Sequence, residues 1–198
     1  MTVSREERHE DTKQKILFAA RRLILEHGFR KVSLRAIAQA AQFSPAGLYE
    51  YFDSKSAILQ SLAGRVSNQL QTRLNQAVLD NESGLGQLVA IGEAYIGFAI
   101  ENPEDFLLLF GQTPSGRRSI DEDVNKNSPY ELVTQSVIAA MQANALPCDA
   151  KVEDIAYAIW SYAHGTTMLQ LTHLKGFEAD FGVADHAALT ALVQGFAH

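Results

Sequence analysis

The chain has 198 residues, of which 46% are hydrophobic, a single cysteine and a net charge of −6. This length suffices for one or two small domains with a sizeable core, and the apolar fraction excludes a disordered chain. Cys148 has no partner for an internal disulfide. No apolar run approaches the roughly 18–20 residues of a membrane span, and the charged start lacks a signal peptide's apolar stretch. These features predict a soluble, cytoplasmic protein without a membrane partner.

Charge is distributed unevenly along the chain. Residues 1–65 carry 11 Lys or Arg and 7 Asp or Glu, whereas residues 66–198 carry 6 and 16. A basic first third on an acidic remainder suggests that the first third alone binds an anionic partner. A chance scatter of surface charge explains the same numbers, so charge alone leaves both interpretations open.

The first third contains start and stop signals for three helices. An apolar stripe of helical period ends at Gly28, a residue that accepts the left-handed conformation at a helix C-terminus. Ser33 is a candidate N-cap for a second helix, and Ser44 followed by Pro45 is a strong start signal for a third. The sequence therefore predicts three helices, two of them short, before residue 53.

The remainder is also of helical period. Ser54, Ser128 and Asp149 are candidate N-caps, and residues 111–127 form the expected mobile loop. The predicted later helices cover residues 55–79, 85–101, 103–110, 128–144, 149–174 and 184–197. No useful stretch alternates with the period of a strand. The predicted fold class is all-α with about nine helices.

Motifs for catalysis or cofactor binding are missing from the sequence. There is no glycine-rich phosphate loop and no Gly-x-Ser-x-Gly nucleophile elbow. The six histidines form no ligand pattern, since His164 and His173 lie on opposite sides of one predicted helix. We therefore predict no catalytic residue, no metal and no cofactor.

The most informative segment is 33–52, which predicts a short helix, a turn and a second short helix. Such a pair forms the helix-turn-helix, whose second helix enters the DNA major groove. The outward face of that second helix combines small residues with Tyr49 and Tyr51, whose hydroxyls can reach phosphate oxygens. A compact packing unit with incidental surface tyrosines is the alternative, and DNA binding is the favoured interpretation.

At these residues the chain resembles a known family. The strings SLRAIAQAA (33–41), FSPAGLYEYF (43–52) and SKSAIL (54–59) resemble the DNA-binding domain of the TetR/AcrR family of bacterial transcriptional regulators. The resemblance covers about residues 12–60. Trp160 with His164-Gly165 further resembles the Trp…His-Gly signature of one TetR C-terminal subgroup.

The resemblance implies a domain division and a set of contacts. Residues 1–55 would form a helix-turn-helix DNA-binding domain, and residues 56–198 a helical effector-binding and dimerisation domain. The implied DNA-binding surface begins at Ser44. Ser33 and Arg35 would contact the DNA backbone, and Tyr49, Tyr51 and Lys55 would contact phosphates. The residues that would face base edges are Pro45, Ala46 and Gly47.

Two positions depart from the family pattern. Gln42 stands where the family often has glycine, which predicts a positive φ at Gln42 or a different turn. Pro45 stands where many members have a polar side chain, and it cannot hydrogen-bond to a base. Sequence readout is therefore expected to rest on apolar contact with thymine methyl groups, with Arg35 and DNA shape supplying the remainder.

The family also implies a homodimer, because an inverted-repeat operator needs two binding domains about 34–36 Å apart. The last two long helices offer small residues for close approach and leucines for apolar area. The expected interface residues are Ala163, Thr167, Leu171, Leu189, Leu192 and Phe196. A terminal helix that only covers its own core is the alternative.

A small-molecule effector is the other implied partner. Few charged residues lie among the candidate lining side chains, so an apolar or aromatic effector is preferred. The candidates are Tyr95, Phe98, Phe106, Phe110, Met141, Trp160 and His164. Aromatic and Met residues at helical spacing are usually core, and that interpretation stays open for each of them.

Three functions follow for testing. The leading one is a ligand-responsive repressor, in which the effector displaces the fourth helix and weakens operator binding about 5–150-fold through a coupling of about 1–3 kcal/mol. A helical protein-interaction module without a DNA partner is the alternative. A small enzyme built around His164 is the third, and no sequence motif supports it.

Overall fold

A computed structural model describes residues 4–82, 84–110 and 128–197. These described residues form nine α-helices and one 3-10 turn, and they contain no strand. The helices are α1 Arg5–His27, α2 Leu34–Ala40, α3 Pro45–Tyr49, α4 Lys55–Leu79, α5 Leu85–Glu101, α6 Pro103–Phe110, α7 Pro129–Gln142, α8 Val152–Leu171 and α9 Phe181–Gly195. The all-α prediction is confirmed. The loop predicted over 111–127 lies outside the described residues.

The chain divides into two compact units, Met1–Val66 and Ser67–His198, and α4 contributes residues to both. The domain boundary predicted after residue 55 stays a prediction. None of the helices in the described residues is both long enough and apolar enough to cross a bilayer.

The first unit is a small core built by α1, α2 and α3. α1 packs against α2, and α2 packs against α3. Ile16 and Ala20 of α1, Ile37 of α2 and Leu48 of α3 are completely buried, and Phe52 is nearly so. These residues form the inward faces of the unit. Because those faces are buried, the opposite face of α3 is left for other contacts.

In the second unit α5 is the central helix. It packs against α6, α7, α8 and α9, and α8 also packs against α7 and α9. Gly92 allows a close approach of α5 to α9, since a Cβ added there would lie 2.7 Å from a methyl group of Leu189 on α9. Leu189 is completely buried, as are Leu88 and Ile159. The core of this unit therefore depends on long helices packed at close range.

Most start and stop signals are confirmed. Gly28 ends α1 with a φ of 81° and donates its N–H to the carbonyl of Ile24 at 2.8 Å. The side chains of Ser33, Ser44, Ser54 and Ser128 each accept a backbone N–H at the start of a helix, and Pro follows at the first position in α3 and α7.

The ends of α8 are where the sequence prediction is wrong. α8 begins after Lys151, which makes no side-chain cap, and not at Asp149. Two acidic residues in its first turn, Glu153 and Asp154, complement the helix dipole in place of a cap. α8 ends at Leu171 and not at Leu174.

α9 begins earlier than predicted, at Phe181 and not at residue 184. Asp180 provides the physical reason, because its side chain accepts the N–H of Val183 at 3.2 Å and so caps the helix.

Candidate nucleic-acid interface

A tight turn connects α2 to α3. Gln42 has a φ of 63°, in the left-handed region that favours glycine, and the N–H of Phe43 donates to the carbonyl of Ala38 at 2.8 Å. The positive φ predicted for Gln42 is confirmed. The turn therefore has the backbone conformation that a glycine would adopt without strain, whereas the Cβ of Gln42 makes it sterically unfavourable.

The two serines that start α2 and α3 are exposed and act as caps. Ser33 Oγ accepts the N–H of Ala36 at 3.1 Å, and Ser44 Oγ accepts the N–H of Gly47 at 3.0 Å. In each case the oxygen is the acceptor, so the hydroxyl proton remains to be donated. Both serines are thus able to hold their helix and donate to a phosphate oxygen at once.

We call Ser44, Pro45, Ala46, Gly47 and Tyr49 the α3 edge. All except Gly47 are exposed, and Tyr49 exposes 54% of its surface, while Leu48 on the opposite face is completely buried. A Cβ on Gly47 would lie 3.2 Å from Ser44 Oγ. Glycine therefore leaves the cap undisturbed and adds no side chain to this surface. Pro45, Ala46 and Gly47 have small side chains, which suits close approach of the backbone to a groove.

Tyr51 lies just past α3 and is not free like Tyr49. Its ring stacks on the imidazole of His9 with centroids 4.6 Å apart and meets the Phe43 ring edge-on at 6.2 Å. Tyr51 is half-buried and His9 is exposed. His9 was not singled out from the sequence, because it lies on α1, far along the chain from Tyr51, and no local pattern links them.

Lys55, at the start of α4, has a different environment from that of a free surface lysine. Its ammonium donates to the carbonyls of Phe29 and Val32, at 2.9 Å each, and lies 4.3 Å above the centre of the Phe29 ring. One of its three protons remains for another acceptor. The predicted phosphate contact of Lys55 stays a prediction, and the lysine also ties α4 to the α1–α2 connection.

Arg35 is exposed on α2, and Arg30 and Lys31 are exposed in the 3-10 turn before it. These cations lie in the same unit as the α3 edge, which accords with the basic balance of residues 1–65. The arrangement as a whole consists of a low apolar edge, hydroxyl donors and nearby cations. Such a surface can lie in a groove and contact phosphate oxygens on either side.

In the second unit, five of the seven predicted effector residues come together as an aromatic cluster. We define this cluster as Tyr95, Phe106, Phe110, Trp160 and His164. The Tyr95 hydroxyl lies 2.9 Å from Nδ1 of His164. Tyr95 and Phe106 are buried, and the other three are half-buried.

Burial also controls the protonation of the two polar members. It raises the pKa of the Tyr95 phenol, an effect that the nearby Trp160 indole opposes, and it lowers the pKa of His164 below 6.5. Tyr95 therefore keeps its proton near pH 7, and its hydrogen bond with His164 joins two uncharged groups. The cluster is uncharged and offers one imidazole nitrogen, which suits a neutral, aromatic molecule.

Two predicted lining residues lie apart from these ring contacts. Phe98 is buried on α5, and Met141 is half-buried on α7. Tyr130, which the sequence did not single out, adds its ring to Trp160 at 5.5 Å. Which side chains contact an effector stays a prediction.

The predicted dimer residues divide into two groups. Ala163, Thr167 and Leu189 are buried within their own chain, so their side chains have no surface to offer a partner. Leu171, Leu192 and Phe196 are half-buried and keep some accessible surface. The helical period explains the division, since the first three lie on the faces by which α8 and α9 pack inside the unit.

The outward faces of these helices carry other residues. On α8 the exposed positions repeat every four residues, at Tyr157, Ser161, Gly165 and Leu169. On α9 they include three alanines and a glycine: Ala184, Ala187, Ala191 and Gly195. Whether α8 and α9 form a dimer interface stays a prediction, and three of the six residues named for it are buried within their own chain.

A buried polar network also joins α8 to α9. The carboxylate of Asp185 accepts hydrogen bonds from the Tyr162 hydroxyl at 2.9 Å, from the Thr166 hydroxyl at 2.8 Å and from the Gln170 amide at 2.7 Å. Burial and the adjacent Asp185 raise the pKa of Tyr162 to about 12. No local sequence pattern pointed to Asp185, which stands among alanines. In the described part of the chain, no three His, Cys, Asp or Glu side chains come together as metal ligands.

Comparisons with known proteins agree with this architecture. Residues 16–62 match the family of bacterial regulatory proteins described as the tetR family, and residues 88–196 match the tetracyclin repressor-like C-terminal domain. The second match alone covers more than half of the chain. Its span includes the aromatic cluster and both helices of the predicted dimer surface.

Individual relatives are similar over parts of their length. The HTH-type transcriptional regulator Rv1816 of Mycobacterium tuberculosis is 31% identical over 114 residues, 57% of this chain and 49% of that protein. The regulator UidR of Escherichia coli is 41% identical over 51 residues, 26% of each protein. The chain thus spans about half the length, or less, of the curated relatives it matches.

Solved structures show the same fold. A bacterial regulatory protein of the tetR family from Rhodococcus RHA1 superimposes with a TM-score of 0.70 over 93% of this chain and 96% of that protein, at 17% identity. The matched family and the named relatives are described as regulatory proteins. By both domain matches, the chain belongs to the TetR family of bacterial transcriptional regulators.

Proposed function

We propose that this protein is a cytoplasmic, dimeric, DNA-binding repressor that leaves an inverted-repeat operator when an apolar or aromatic molecule binds its second unit. The observation that supports DNA binding most strongly is the α3 edge, exposed while Leu48 behind it is completely buried. A helix face that carries only small residues and Tyr49 has few polar groups for water to hydrate. It gains apolar contact and phosphate hydrogen bonds in a major groove.

The proposed contacts follow the exposure of each side chain. Ala46 and Pro45 would meet base edges, and Tyr49, Arg35 and Ser33 would meet phosphates. Pro45 has no N–H, so discrimination at its base pair would come from contact with a thymine methyl group.

Selection of binding sites from a pool of random duplex DNA tests this function. We expect an inverted repeat whose half-sites lie one helical turn apart or a multiple of it, about 10–10.5 base pairs. A pool with no enriched sequence, together with no affinity for any duplex at low salt, would instead favour the helical interaction module.

A charge-matched pair of variants then tests the interface. Arg35→Ala should lower affinity for the selected duplex and reduce the slope of log affinity against log salt by about 1, because one phosphate contact is lost. Arg22→Ala, an exposed arginine of α1 outside the proposed contacts, removes the same charge from the same unit. Equal salt slopes for the two variants would contradict the proposed interface.

Dimerisation is proposed through the outward faces of α8 and α9. Small residues at Gly165, Ala187 and Ala191 allow close helix approach, and Tyr157 and Leu169 add apolar area. Leu169→Glu should place a charge in that surface and shift the chain toward monomer in analytical ultracentrifugation. Ile138→Glu, on the exposed face of α7, is the matched control. Two variants that both stay dimeric would contradict this surface.

The effector is proposed to bind beside the aromatic cluster. Trp160 is the chain's single tryptophan, so its fluorescence reports this location directly. Titration with the neutral apolar dye N-phenyl-1-naphthylamine should quench Trp160 and release the operator over the same concentration range. We propose that α4 transmits the effect of effector binding to the first unit, because this helix runs unbroken from Lys55 to Leu79 and so belongs to both units. Quenching without release would contradict an effector role for the cluster.

A further inference from the structure

Tyr51 and Tyr49 stand two residues apart and are held quite differently. The Tyr49 side chain is exposed to 54% and has no ring partner among the described residues. Tyr51 is clamped, with the His9 imidazole stacked 4.6 Å from its centre at 26° and the Phe43 ring edge-on at 6.2 Å. Within the described residues, ring contacts therefore hold the Tyr51 phenol and do not hold the Tyr49 phenol.

A side chain that is already ordered before it contacts a partner lowers the entropy loss of binding. A flexible side chain must give up rotamer freedom when it is immobilised on a partner, whereas an ordered one has already lost it on folding. A ring held between two other rings also cannot swing its hydroxyl away from the surface. The clamp thus fixes the line along which the Tyr51 hydroxyl points.

We propose that His9 is a positioning residue for DNA binding: its ring, stacked on Tyr51 from α1, holds the Tyr51 hydroxyl ready to donate to a phosphate. This inference rests on the proposed DNA-binding function. It gives α1 a part in the interface, because the first turns of that helix carry the stacking ring. The inference concerns the flat ring of His9 and does not require its charge.

Four affinities for the selected duplex test this inference, as a double-mutant cycle. Tyr51→Phe keeps the ring stack and removes the hydroxyl, and it should weaken binding roughly three- to ten-fold, the range of one net hydrogen bond. His9→Ala removes the stack and should weaken binding by a similar factor. The double variant should bind no more weakly than Tyr51→Phe alone, because His9 acts only through that hydroxyl.

A conservative variant separates positioning from a general structural role. His9→Phe restores a flat ring without an ionisable group and should return affinity close to that of the unaltered chain. His27→Ala, which removes an exposed histidine from the far end of the same helix, should leave affinity unchanged. Thermal unfolding of each variant shows whether the helix itself has been damaged.

The outcomes separate this inference from the function on which it rests. An unaltered chain that binds no duplex would overturn both. An unaltered chain that binds, with His9→Ala binding equally well or with the two single losses multiplying in the double variant, would overturn the role of His9 alone.

Discussion

The two units of this protein reach their structures by different means. In Met1–Val66, α2 and α3 have only seven and five residues, too few to be stable alone, and each begins at a serine cap. In Ser67–His198, α5 and α8 have 17 and 20 residues and begin without a side-chain cap. The comparison teaches that local capping signals set the two short helices α2 and α3, whereas α5 and α8 depend on burial and long-range contacts, even though α7 and α9 of the same unit are capped.

The largest effect is expected from the buried network of the second unit. Asp185→Ala removes the acceptor of three hydrogen bonds and leaves Tyr162, Thr166 and Gln170 without their partner. We expect the free energy of unfolding to fall by about 2–4 kcal/mol, measured by urea unfolding followed through Trp160 fluorescence. Asp180→Ala, which removes only the exposed cap of the same helix, should cost about 1 kcal/mol. Equal costs would show that capping matters as much as burial here.

The next effect concerns helix approach. Gly92→Ala places a Cβ 2.7 Å from a methyl group of the buried Leu189, and we expect it to destabilise the second unit by about 1–3 kcal/mol. Gly97→Ala on the same helix meets only the end of the Arg73 side chain, at 3.7 Å. It should stabilise the protein by up to about 1 kcal/mol through helix propensity. Urea unfolding curves with shifts of the same sign would contradict the packing of α5 against α9.

A local change in the first unit should have an effect of opposite sign. Gln42→Gly relieves the positive φ of 63° and should raise the free energy of unfolding by about 1 kcal/mol. Gln39→Gly, three residues earlier within α2 and exposed, should lower it by about the same amount. Thermal unfolding followed by circular dichroism measures both. A loss of stability in Gln42→Gly would mean that the glutamine side chain makes a contact worth more than the strain.

The smallest effect is a pH dependence. Burial lowers the pKa of His164 below 6.5, so the unfolded chain takes up a proton that the folded chain resists. The free energy of unfolding should therefore fall as the pH drops below 6.5 and through the folded pKa. His164→Gln should lose less stability than the unaltered chain between about pH 7.5 and pH 5.5, in urea unfolding followed through Trp160. Parallel pH profiles would contradict the burial of His164.

The sequence predicted features that depend on local signals and missed those that depend on long-range contacts. Ser33 and Ser44 were predictable as caps, because a cap depends on neighbours a few residues away. For Gln42 the family resemblance left two alternatives, a positive φ or a different turn, and the structure has the positive φ. Asp149 failed as a cap because the acidic first turn of α8 competes with it, and both signals look alike in a sequence. His9 beside Tyr51 and Asp185 beside Tyr162 depend on contacts between distant elements. No local pattern carries that information.

The same reason applies to the residues predicted for a dimer interface. Ala163 and Leu189 have the composition of an interface, and only the packing of α5 against α8 and α9 shows that they face inward. Lys55 was assigned to phosphate by family pattern, and its bonds to the Phe29 and Val32 carbonyls required the folded chain.

The most direct test of the proposed interface is whether the α3 edge decides which base pairs are bound. Ala46 is exposed on that edge, so Ala46→Gln adds a hydrogen-bonding group at low risk to the fold. Selections from the same random duplex pool should enrich inverted repeats of equal spacing that differ at one or two base pairs in each half-site. Identical sequences from the two proteins would show that this edge lies outside the groove.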